Sequence, residues 1–179
     1  MEIVTIPCLQ DNFAYLLICP KTGEAAVVDP SEADPVRKEI KRQNVKLTAI
    51  LNTHHHWDHV GGNKELKADC PYLKIYGHAS DRGRIPEQTE YLEDGDKVLF
   101  GEQSGSFLHN PGHTSGAITY LFEIPLLQET LCSQQAADGF LKGRRNKCMI
   151  HLTTLLVSFR TGQIYISDMN ILKTISVLP

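Results

Sequence analysis

Four histidines and an aspartate crowd into one short stretch, THHHWDHVGGN, residues 53–63. His54, His56, Asp58 and His59 offer imidazole nitrogens and a carboxylate, donors that suit zinc and also iron or manganese. If the chain is still extended at His54 and His56, side chains two apart point the same way and can share one metal. Asp58 and His59, one turn further on, can reach a second. His55 then points away, into a packing or hydrogen-bonding role. An expression tag would also give consecutive histidines, but tags sit at termini and are not followed by WDH. A solvated polar loop would not gather four of the chain's eight histidines into six positions.

A second loop, NPGHTSG at residues 110–116, carries His113. Alone it would be an ordinary loop histidine. Beside the first cluster it becomes a third ligand, with Thr114 and Ser115 placed to support it. His78, His109 and His151 lack such company and are read as structural or surface residues.

The elements around these loops must hold them still. Residues 2–8 and 13–19 are short apolar runs split by the turn signal Asp11-Asn12, a hairpin pattern. Residues 25–28 make a third strand, stopped by Asp29-Pro30. Asp34 is expected to cap a helix, with Pro35 at its first position and VRKEIKRQ after it. Residues 47–53 form a buried strand that runs straight into the histidines, and the Gly61-Gly62 bend follows them. NKELKAD reads as helix and residues 73–76 as strand. Residues 82–96 read as a surface loop. Residues 97–100, 106–109 and 117–122 read as strands, the last two flanking the His113 loop. Strands with helices between them predict a layered α/β fold.

From residue 124 the pattern changes. LLQETLCSQQAADGFLKGRRNKCM is polar and poorly periodic, and LTTLLVSF and QIYIS are strand-like without turn chemistry to organise them. The domain reading is therefore 1–123 as a folded domain and 124–179 as an atypical tail.

Length and composition permit one domain with a real core: 179 residues, 41% hydrophobic, 22% charged. A net charge of −3 with no basic run argues against nucleic acid. No apolar run reaches a membrane span, and the first residues do not read as an export signal. Five unpatterned cysteines read as reduced thiols. The expectation is a cytoplasmic monomer.

THHHWDHVGGN and NPGHTSG together resemble the metallo-β-lactamase superfamily, and within it the glyoxalase II family of hydroxyacylglutathione hydrolases. IPCLQDNFAYLL and AAVVDP fit the same family. The resemblance runs from Met1 to about Glu123. It implies an αββα sandwich with the metals at one edge of the paired sheets. It also implies that His54, His56 and His113 hold a first zinc, that Asp58 and His59 belong to a second, and that Asp29 supports the site. The implied reaction is hydrolysis of S-D-lactoylglutathione to glutathione and D-lactate, with a metal-activated water as nucleophile and Asp58 helping to orient it. The substrate partner is thus a small glutathione thioester.

The match is incomplete. The family has a bridging aspartate in a motif like FTGDTLF and a last histidine in one like GHEYT, and neither occurs here. Its glutathione-binding residues and C-terminal helical domain are absent too. Reading the last base of each codon with the first two of the next, permitted codons spell Phe-Thr-Gly-Asp-Thr-Leu-Phe over residues 126–133. Over residues 165–174 they permit Tyr-Phe-Gly-His-Glu-Tyr-Thr-Lys-Asn, and Met169-Asn170 can only give Glu there. The expectation is a frameshift between Phe122 and Leu127, an incomplete second metal site and a C-terminal part too incomplete to cover the sandwich. Weak or no thioesterase activity would follow. Other readings are a mononuclear iron persulfide dioxygenase on the same fold and an inactive metal-binding fragment. A β-lactamase fits less well, because those enzymes are exported.

Overall fold

The computed structural model describes residues 1–123 and, beyond them, the backbone of three strands, Cys148–His151, Leu155–Arg160 and Gln163–Asp168. Two six-stranded sheets form the core. The first contains β1 (Glu2–Cys8), β2 (Asn12–Ile18), β3 (Glu24–Val28), β4 (Lys46–Leu51), β5 (Lys74–His78) and β6 (Glu90–Leu92), in that order. The hairpin pairs β1 with β2, Cys8 opposite Asn12. From β3 to β6 the pairing is parallel, which requires crossovers; the one from β5 to β6 is the short turn Ala79–Asp81 and a loop, and the other two are carried by helices. These are α1 (Ala33–Gln43), the single turn α2 (Trp57–Val60) and α3 (Asn63–Asp69).

The second sheet runs β10 (Cys148–His151), β11 (Leu155–Arg160), β12 (Gln163–Asp168), β9 (Ile118–Glu123), β8 (Gln103–His109), β7 (Val98–Phe100), and is antiparallel throughout. The sheet therefore does not end at Glu123: β12 pairs with β9, Gln163 opposite Glu123. β11 and β12 fall in the two runs read as strand-like, whereas β10 begins within the stretch read as poorly periodic. Residues 124–147, 152–154, 161–162 and 169–179 lie outside the described residues, as does most of the proposed out-of-frame stretch.

Two apolar layers follow from the period-two alternation of the strands. Tyr15, Leu17, Val28, Leu51 and Tyr76 turn toward the second sheet and pack with Phe100, Ile118, Tyr120 and Phe122. Ala14, Leu16, Ile18, Val27, Ile50 and Ile75 turn the other way, against Val36 and Leu66 of α1 and α3. A sheet covered on both faces reads as continuous apolar runs, which is why its strands show little polar alternation. Helix, sheet and sheet account for three layers of the αββα arrangement among the described residues.

Two expectations need correction. Asp34 does not cap α1. The helix begins at Ala33 with Glu32 at the cap position and no side-chain cap bond. Asp34 lies in the first turn and pairs with Arg37 at 2.7 Å, where a carboxylate still suits the helix dipole. Pro35 is tolerated there because first-turn N–H groups have no helical partner. The stretch 82–96 is also not all loop, since β6 adds to the sheet edge beside β5. Three residues are too few for a periodic signal; the ladder bonds make this strand. No described helix is long and apolar enough to cross a membrane.

Candidate metal centre

Past the end of β4 the chain is gripped from both sheets. Asn52 N–H donates to the Tyr76 carbonyl at 3.0 Å, Ile118 N–H donates to the Thr53 carbonyl at 2.9 Å, and the Tyr120 hydroxyl donates to the Asn52 carbonyl at 2.9 Å. The next residues are the histidines, so they start from a fixed point between the sheets. His56 has extended backbone, φ −63° and ψ 144°, and its carbonyl accepts from His59 and Val60 N–H as α2 begins. His54 and His56 thus share a side, and Asp58 and His59 follow on a helical turn, as the spacing predicts.

His113 arrives from the loop between β8 and β9. Its Nε2 lies 3.0 Å from His56 Nδ1, and its ring centroid is 5.0 Å from that of His54. One ring nitrogen from each of His54, His56 and His113 can be chosen within 4.8 Å of the others. Two nitrogens at zinc-bond length on one tetrahedral ion would be roughly 3.3 Å apart. The donor set therefore fits a metal. His54 is buried, His56 half-buried and His113 exposed, so the site opens to solvent on the His113 side.

The protonation states fit as well. Burial, with the neighbouring imidazoles adding to it, pushes His54 down to about 2. Burial and then His113 lower His56. Neutral rings present lone pairs to a cation. The Thr53 hydroxyl donates to Asp29 Oδ2 at 2.6 Å and stands 3.0 Å from His54 Nδ1. Its proton being spent on the carboxylate, it accepts from Nδ1–H, so that Nε2 is the nitrogen that could serve a metal.

Asp29 is fully buried and lies with His54 and His59 in a second group of possible donors. Its oxygens are already engaged: Oδ1 accepts from Thr53 N–H at 2.8 Å, and Oδ2 from the Thr53 hydroxyl and from His59 Nδ1 at 3.0 Å. Asp29 therefore holds Thr53 and His59 in place. Its backbone is left-handed, φ 47°, a conformation aspartate tolerates better than most residues. With Nδ1 donating to Asp29, His59 turns Nε2 toward Asp58 Oδ2, 3.5 Å away. Asp58 and His59 thus lie side by side next to the histidine cluster. Asn12 Nδ2 donates to the Asp58 carbonyl at 2.5 Å, and the Ser31 hydroxyl donates to the same oxygen. Together they pin α2 to the first sheet.

His55 points away, its Nδ1 3.1 Å from Asp81 Oδ1. His109 stacks on His78 with centroids 3.8 Å apart and donates to the Ser115 carbonyl at 2.9 Å, a structural role. His151 lies on β10, described for its backbone alone. Asn12, Ser31, Asn52, Asp81, Arg84 and Tyr120 carry the support of the site and gave no signal in the sequence, since single polar residues beside unrelated strands form no motif.

A family model described as the metallo-beta-lactamase superfamily matches residues 11–125. The chain belongs to that superfamily. Its similarity within it is to hydroxyacylglutathione hydrolases, the glyoxalase II family. The protein of that name from Rippkaea orientalis is 49% identical over 130 residues, 73% of this chain and 51% of the relative. The one from Thermosynechococcus vestitus is 49% identical over 139 residues, 78% and 54%. The chain thus spans about half the length of the curated relatives it matches. Among solved structures, the BLEG-1 B3 metallo-beta-lactamase superposes with TM-score 0.59 at 25% identity, covering 68% of this chain and 67% of that one. ETHE1 from Myxococcus xanthus gives 0.58 at 23%, covering 68% and 56%. These two likenesses concern the fold.

Proposed function

We propose that the centre serves metal-dependent hydrolysis of a hydroxyacylglutathione thioester, S-D-lactoylglutathione, to glutathione and D-lactate, in methylglyoxal detoxification. The observation that carries this is the convergence of His54, His56 and His113, with Asp58 and His59 beside them, in a chain whose relatives bear the name of that hydrolase. His54, His56 and His113 hold a first zinc, and Asp58 and His59 supply part of a second site. A metal held there would supply a hydroxide near neutral pH and electrostatic stabilisation of the thioester oxygen. Asp58, one-third exposed beside the cluster, orients the attacking water. Asp29 and Thr53 fix the ring tautomers. The thiolate leaves without a strong acid.

The second site lacks its bridging carboxylate and last histidine among the described residues, so we propose impaired turnover for this chain. The decisive assay follows thioester loss with the full-length chain loaded with zinc, iron or manganese, beside metal-free protein and His56→Ala. Slow turnover that needs both metal and His56 is expected. A rate on the order of 10 s⁻¹, ordinary for an enzyme, overturns the impairment. No turnover with metal bound overturns the thioesterase reading for this chain.

We further propose that residues 124–179 are read out of frame. Resequencing DNA and transcript across the codons for Phe122 to Leu127 tests this: a missed or added base restores both missing motifs, and an unchanged reading rejects the idea.

A further inference from the structure

Asp81 is a fully buried carboxylate that is not among the metal donors. It ends the short turn Ala79–Asp81 after β5. Its Oδ1 lies 2.6 Å from Arg84 Nη2 on one side and 3.1 Å from His55 Nδ1 on the other, charge contacts rather than hydrogen bonds. His55 sits between two ligands, His54 and His56. The same Arg84 Nη2 donates to the Ser115 hydroxyl oxygen and to the Ser80 carbonyl, both at 2.8 Å. The Ser115 carbonyl accepts from the Ser80 hydroxyl at 3.3 Å and from His109 Nε2 at 2.9 Å. Ser115 is two residues beyond His113. Gly116 lies directly on the Asp81 carboxylate, where any Cβ would strike it. One turn of chain, remote in sequence from both histidine loops, therefore lies against the first through His55 and is hydrogen-bonded to the second through Ser115.

We propose that Asp81 and Arg84 are positioning residues, a clamp that holds the His54–His56 segment and the His113 loop at metal-binding separation, with His55 as its attachment on the first loop. The proposal rests on the metal-centre reading. Burying a carboxylate against a guanidinium is a poor route to stability, because desolvation offsets much of the attraction. A fixed position is what such a group supplies well. His113 needs one, since it is exposed on a glycine- and proline-rich loop that regular structure does not hold. The clamp also accounts for the middle histidine of the three: its ring lies against the buried carboxylate, on the side away from His54 and His56.

Zinc affinity, measured by competition with a chromophoric chelator on the full-length chain, tests this without reference to turnover. Arg84→Met, Asp81→Asn and His55→Ala should each weaken zinc binding about 10- to 100-fold, as removal of a ligand's support does elsewhere. The double variant of Asp81→Asn with His55→Ala should bind no worse than the weaker single one, since both cut the same tie. Val36→Ala, a core change on the helix side of the first sheet, should keep wild-type affinity despite a lower melting temperature. Where Asp81→Asn does not fold, the milder Arg84→Lys and Ser115→Ala decide, with a loss of severalfold or more expected. Clamp variants that bind zinc like wild type overturn the clamp alone, and so does Val36→Ala losing as much affinity. Wild-type protein that binds no zinc overturns the metal centre and the clamp with it.

Discussion

His113 Nε2 lies 3.0 Å from His56 Nδ1 although 57 positions separate them. The contact joins a loop of the second sheet to one of the first, so the histidine cluster is also a junction between the two sheets.

Removing the exposed partner should separate binding from folding. His113→Ala deletes a ring on a surface loop and takes nothing from either apolar layer. The melting temperature of metal-free protein should stay within a few degrees of wild type. Zinc affinity should fall by on the order of 100-fold, at or beyond what lost support around a ligand costs. Chelator competition and thermal melts on the same sample check both halves. Unchanged zinc affinity would remove His113 from the ligand set.

Asp29 is the opposite case, because its oxygens are taken up by Thr53 and His59. Asp29→Ala leaves the Thr53 N–H, the Thr53 hydroxyl and His59 Nδ1 without their acceptor in a fully buried place. The expected loss is roughly 3 kcal/mol of stability in metal-free protein, from several buried donors left unpaired. Urea unfolding reads it. Asp29→Asn should also destabilise, since an amide nitrogen cannot accept from either Thr53 or His59.

Acid should weaken the metal-free fold through His54. Burial lowers its folded pKa from 6.5 to about 2. Between those values the unfolded chain takes up a proton that the folded chain refuses. Stability is therefore fully present above pH about 6.5 and declines as pH falls through that window. The urea midpoint of chelator-treated protein, followed from pH 7.5 downward, should drop. His54→Gln should flatten the dependence, and an equal slope in that variant would assign the titration elsewhere.

The donors were legible in the sequence because they are dense: His54, His56, Asp58 and His59 lie within six positions, and alternation alone aligned the first two. His113 was legible only by association with them. The rest of the site was hidden by its construction. Asp81 and Arg84 meet His55 and Ser115 through the fold, across 26 positions for Asp81 and His55 and 31 for Arg84 and Ser115, and no local pattern encodes such a meeting. The first sheet was readable strand by strand because both its faces are apolar, whereas β6 is too short to show a period. Asp34 misled because a capping residue and a first-turn acid look alike when a proline follows. In the tail, LTTLLVSF and QIYIS had strand composition but nothing to fix their partners. Their pairing with one another, and of QIYIS with β9, comes from backbone bonds to which composition is indifferent.

The bend after the histidines gives a sharper test of packing, because conformation and contact predict opposite signs. Gly62 has φ −80° and ψ −12°, where alanine is comfortable. By chain entropy alone, Gly62→Ala should stabilise by about 0.4–1 kcal/mol. A Cβ there, however, would sit 2.8 Å from the Pro30 carbonyl oxygen, 2.9 Å from the Glu32 carbonyl carbon and 3.0 Å from Ala33 N. All three are backbone atoms at the start of α1, with no flexible side chain to move aside. Gly62 N–H also donates to that Pro30 oxygen at 2.8 Å, so relief of the clash pulls on the bond that holds the bend. Contact should win, with a net loss of about 1–3 kcal/mol, the usual cost of overpacking. Because α2 is anchored through this bend, the displacement should reach Asp58 and His59 as well. Thermal melts of metal-free protein read the first effect, and a weaker second zinc equivalent in the chelator titration reads the next. A Gly62→Ala protein more stable than wild type would mean that the start of α1 yields and that the bend does not set the position of α2.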